Sequence, residues 1–127
     1  MATIPSRIHL NKQSQTLELH YGEAQYALSA EYLRVHSPSA EVRGHGGEGA
    51  TLVHGKKDVR INKAEPAGNY AIKLHFDDGH DSGIYTWEYL HKLAVNQPTF
   101  WDNYLDNLHK ANKSREKDSQ VVNIMPQ

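Results

Sequence analysis

The chain contains no cysteine. Disulfides, thiolate nucleophiles and Cys-ligated zinc or iron–sulfur sites are therefore excluded as products of its own side chains. It also lacks a strong charge of either sign. The 14 basic residues stand against 15 acidic ones, for a formal net charge of -1. Nucleic acid is not the expected partner, because the electrostatic footprint is missing. No apolar run approaches the roughly 18 residues of a membrane span, and Met1–Leu10 has no signal-peptide core. The expectation is a cytoplasmic protein with no membrane contact. Nine His residues are the one compositional oddity.

What is there fits one domain of 127 residues with a core of its own. The most ordered pattern runs from Gly68 to Leu90. Ile72, Leu74 and Phe76 alternate with Lys73, His75 and Asp77, which predicts a strand, with Tyr70 on the apolar face. Asp78-Gly79 is a hairpin-turn signal, and Ser82–Tyr85 reads as the return strand. Thr86 then caps a helix with Trp87, Leu90, Leu93 and Ala94 on one face. An imperfect copy precedes it. Thr16–Tyr21 alternates, Gly22-Glu23 turns the chain, and Ser29 caps a short helix that ends before Pro38. Each copy closes on Ser or Thr followed by x-Glu-Tyr-Leu.

Further strands are expected at Ile4–Leu10 and Asp58–Ala64, with a turn through Pro66. Ser37–Lys57 carries five glycines and reads as a long loop. Thr99 with Asp102 resembles a capping box for a last helix striped by Trp101, Tyr104, Leu105 and Leu108. The folded domain is placed at residues 1–112, with a disordered polar tail over 113–127. The fold class is α+β: antiparallel strands in two related strand–turn–strand–helix units, with C-terminal helices.

Leu-Arg-x-x-Ser-Pro-Ser-Ala-Glu over Leu33–Glu41 and Asp-Gly-His-x-Ser-Gly-Ile-Tyr over Asp78–Tyr85 form a specific pair of motifs. With Lys56–Ile61 and Gly68–Tyr70, they give the chain its resemblance to a family. It resembles the small bacterial proteins named after the N-terminal domain of gamma-butyrobetaine hydroxylase, over roughly residues 7 to 110. The resemblance implies a compact strand-rich module without the catalytic jelly-roll domain of the hydroxylases. Fusions of related modules to iron–sulfur carrier ATPases imply a link to metal-cofactor handling. The hydroxylases hold a structural zinc there through three Cys and one His. Those positions correspond to Ser37, Ser39, Val42 and His80. Hydroxyls are poor zinc ligands and valine is none, so hydrogen bonds and packing are expected to hold that corner.

The expectation for function is a non-catalytic accessory module that contacts another protein, an iron–sulfur carrier or an oxygenase. Arg34, Ser37, Ser39, Glu41, Arg43 and His80 would supply the polar contacts. A zinc or iron protein is the alternative. His36, His45, His54 and His80 could converge on a metal if the Gly-rich loop folds back, and His75-x-Asp77 is the opening of an iron triad. No ligand spacing here is diagnostic, and no cofactor follows from the residues. A second alternative is an RNA-binding patch of Arg34, Arg43, Lys56, Lys57 and Arg60. Serines 37 and 39 have no recognisable triad partners.

Overall fold

The computed structural model describes residues 4–38 and 52–117. The first unit is three strands and a helix: β1 (Arg7–Asn11), β2 (Thr16–Tyr21), β3 (Ala24–Ser29) and α1 (Ala30–Val35). The second repeats that order: β4 (Ile61–Ala67), β5 (Ala71–Phe76), β6 (Gly83–Thr86) and α2 (Trp87–Val95). A last helix, α3, spans Gln97–Lys110. Each unit forms its own antiparallel sheet, in the orders β1-β2-β3 and β4-β5-β6. This is the expected α+β fold with two related units.

The periodicities explain the core. Leu17, Leu19 and Leu28 turn inward from the first sheet; Ile61, Ile72, Leu74, Phe76 and Tyr85 turn inward from the second. Tyr32 and Leu33 on α1 and Leu90, Leu93 and Ala94 on α2 complete one continuous cluster. Both caps form as expected. The Ser29 hydroxyl accepts from the Tyr32 N–H at 3.0 Å, and the Thr86 hydroxyl from the Tyr89 N–H at 3.2 Å. Each satisfies an N–H that the helix start leaves without an internal partner. A smaller cluster of Val35, Tyr104 and Leu108 seats α3, with Leu52, Val53 and Trp101 against it. No helix among the described residues is long and apolar enough to cross a membrane.

Several boundaries differ from expectation. Pro66 lies within β4, opposite Ile72, rather than in a turn. β4 is an edge strand, the place in a sheet where proline is tolerated. Tyr70 is exposed and Ala71 buried, because the turn before β5 ends at Tyr70. The Asp78-Gly79 step sits inside a longer connection from Asp77 to Ser82, with Gly79 at φ 91°. The last helix begins at Gln97 with Pro98 in its first turn, so Thr99 is helical and not its cap. The expected tail starts at Lys113, yet Ser114 and Arg115 are bonded to the domain. Their carbonyls accept from the Gly55 and Lys57 N–H groups at 2.9 and 3.0 Å. The rest of that tail lies outside the described residues.

Candidate functional site

The motif residues meet where the end of α1 faces the β5–β6 connection. α1 is a helix of under two turns, so its last residues quickly pass out of helical geometry. That places Arg34 and Ser37 over the turn after β5. Asp78 is the hub of the turn. One carboxylate oxygen accepts from the His80 N–H at 3.1 Å. The other accepts from Arg34 Nε at 2.9 Å and Lys56 Nζ at 2.5 Å. Burial alone would raise the Asp78 carboxyl, but these donors outweigh it and lower its pKa to about 2.

Behind this ion cluster lies a buried serine–histidine pair. Ser37 Oγ and His80 Nε2 are 2.8 Å apart, with Ser37 wholly buried and His80 at 6% exposure. Gly83 makes the close approach feasible. A Cβ at Gly83 would lie 2.6 Å from Ser37 Oγ and 3.2 Å from the Tyr85 ring. The buried Tyr85 hydroxyl donates to the Leu33 carbonyl, and burial pushes that phenol well above its usual range. The Tyr89 hydroxyl donates to the His36 carbonyl at 2.7 Å.

Of the four positions that the resemblance singles out, the structure describes Ser37 and His80, which are joined by a hydrogen bond. As zinc donors the pair is a poor set: one imidazole and one hydroxyl. No group of three or more His, Asp or Glu among the described residues is placed to hold a metal. Ser39, Glu41, Val42, Arg43 and His45 lie outside the described residues.

The other sequence candidates separate. His36 does not point to a shared metal centre with His80. Its ring sits against Tyr32, Phe100 and Tyr104, and its Nδ1 lies 2.9 Å from the Tyr32 carbonyl. Burial lowers its pKa, partly offset by that bond. His75 pairs with Glu65 across the sheet at 2.6 Å, while Asp77 accepts from the Arg60 N–H at 3.0 Å. These two residues thus serve different partners, and the iron-triad reading loses its geometry. Arg34 and Lys56 of the proposed basic patch are spent on Asp78. Phe100 and Trp101 are half-buried against the core. Sequence reasoning treated Asp78 only as a turn residue. Its acidic side chain beside the motif His was the available signal.

One cleft lies away from this corner, where the edge strands β1 and β4 come together. It measures about 510 Å³, with Ile8, Leu10, Ala64, Pro66, Ile72 and Trp87 in its walls.

Taken together, the fold and corner define a small α+β module whose motif residues brace two units against each other. The chain belongs to the gamma-butyrobetaine hydroxylase-like, N-terminal family, whose model matches residues 8–91. It is similar to a protein solved by NMR in solution, at 54% identity over 98% of this chain and 99% of that one, TM-score 0.83. A second NMR structure is 46% identical over 97% of this chain and 93% of that one, TM-score 0.77. A crystal structure of a protein of unknown function from Acidithiobacillus ferrooxidans is 36% identical over 72% of this chain and 93% of its own, TM-score 0.60. No curated protein matches in sequence.

Proposed function

We propose that the protein is an accessory binding module of the bacterial cytoplasm, acting by protein–protein contact rather than by catalysis. The observation that carries this reading is the inward use of the motif side chains. Arg34, Ser37, Asp78 and His80 are spent on one another, which fits a brace for a recognition scaffold better than a reaction centre. The partner class is an iron–sulfur carrier or an oxygenase, on the analogy of the family's fusions. The competing reading is a zinc or iron protein centred on His80, and it is the poorer fit to a serine–histidine pair.

Metal analysis of protein purified without tag or chelator decides between them, alongside His80→Ala. The module reading expects sub-stoichiometric metal and a variant altered only in stability. About one equivalent of zinc or iron, lost in His80→Ala, would overturn it. Direct titration against a purified carrier or oxygenase then tests the partner class.

A further inference from the structure

Glu31 stands out among the acidic residues. It lies in the first turn of α1 and is buried to 5% exposure. A buried carboxylate is costly unless a cation and further hydrogen bonds meet it. Arg115 does so, from beyond α3. Its Nε and Nη2 donate to the two carboxylate oxygens at 2.8 and 2.7 Å. Its guanidinium also lies over the Trp101 ring, 5.2 Å from the centroid. The flanking backbone is gripped by the N–H groups of Gly55 and Lys57. Lys57 Nζ adds an ion pair to Glu116 at 3.1 Å.

Receptor and occupant differ in character. Glu31 is fixed in a capped helix and Trp101 packs on the core. The occupant segment has little apolar anchorage. Lys113, Ser114, Glu116 and Lys117 are exposed, and Arg115 is only half-buried. Releasing Arg115 alone would leave the buried Glu31 carboxylate uncompensated, so the segment gives way only to an incoming guanidinium that takes over the pair.

We propose that Glu31, Trp101 and the Gly55–Lys57 backbone form a recognition site for an arginine-bearing peptide segment, filled in cis by Ser114–Glu116. The site reads a guanidinium by a bidentate carboxylate and an aromatic face, and reads the adjoining main chain by two N–H donors. A partner segment of the same chemistry displaces the chain's own. This deepens the binding-module reading and rests on it.

The test uses the chain ended after Lys113 and a synthetic peptide of the Lys113–Lys117 sequence, followed by amide chemical shifts. The shortened chain is expected to bind the peptide saturably, with shifts at Gly55, Lys57 and the Trp101 indole. Replacing the peptide's Arg by Ala, or Glu31→Gln in the protein, should weaken binding at least about tenfold, as loss of a charge-assisted bidentate pair does. The intact chain should bind at least about tenfold more weakly, because a tethered occupant competes at millimolar effective concentration. Should the shortened chain fail to fold, full-length Arg115→Ala takes its place, with the same expected gain over the intact chain. A folded variant that ignores the peptide, or binds the Arg and Ala peptides equally, overturns the site. That outcome leaves the module reading standing, since metal analysis decides that separately.

Discussion

The two units carry the same frame and differ in what joins its parts. In the first, β2 and β3 are joined by Gly22-Glu23 alone, with Tyr21 opposite Ala24. In the second, the equivalent connection runs from Asp77 to Ser82 and holds the Asp78 hub and His80. The capped helices differ in one telling residue. Glu31 is buried and paired with Arg115, whereas Glu88, at the matching place after the cap, is exposed. The lesson is that the repeated positions make the core, and the departures from repetition carry the polar specialisation. The brace and the guanidinium pocket both sit where the copies diverge.

The largest test of the shared frame is the pair Leu33→Ala and Leu90→Ala, both wholly buried at matching positions. Each should cost about 2–5 kcal/mol in urea unfolding. Strongly unequal values would break the equivalence. Gly83→Ala sharpens the difference. Its Cβ would strike Ser37 Oγ, so a loss of about 1–3 kcal/mol is expected. Combining it with Ser37→Ala, which deletes that oxygen, should cost less than the two single losses together. Equal additivity would mean that the close contact is not the cause.

Asp78 gives the pH signature. Its folded-state pKa lies below the ordinary Asp value, so its stabilisation is complete above about pH 4. It is lost as pH falls from there toward about 2. Asp78→Asn should remove roughly 1–2 kcal/mol at neutral pH and flatten that acid limb of the stability curve. A parallel curve for the variant would place the acid sensitivity elsewhere. Smallest is the tyrosine pair. The Tyr32 hydroxyl donates to the Leu93 carbonyl at 2.7 Å, and Tyr89 to the His36 carbonyl at 2.7 Å. Tyr→Phe at each should cost about 1 kcal/mol, and more at Tyr32, which is the more buried.

Much of the frame was legible because it is local. Period-2 alternation marked β2 and β5, and the Ser and Thr before x-Glu-Tyr-Leu marked both helix starts. The motif residues Ser37 and His80 were singled out in the sequence, and the structure joins them by a hydrogen bond. Long-range polar pairing was not legible. Nothing in Arg115 announces a partner eighty-four residues away, and nothing local divides six strands into two sheets. The start of α3 was misplaced because Pro98 reads as a break after α2, while its fixed φ equally suits a helix's first turn. His36 and His75 looked like ligands because composition cannot show that an aromatic pocket and Glu65 already occupy them.

The tyrosine bonds have a further meaning. Tyr32 of one unit reaches the carbonyl four residues past Tyr89, and Tyr89 of the other reaches the carbonyl four residues past Tyr32. That reciprocity is the signature of a two-fold, isologous interface, in which i meets j and j meets i. Here it occurs within one chain. The two units thus meet through a reciprocal pair of contacts of the kind a two-fold interface makes. Each tyrosine hydroxyl donates across to the other unit, so the two bonds tie the units together.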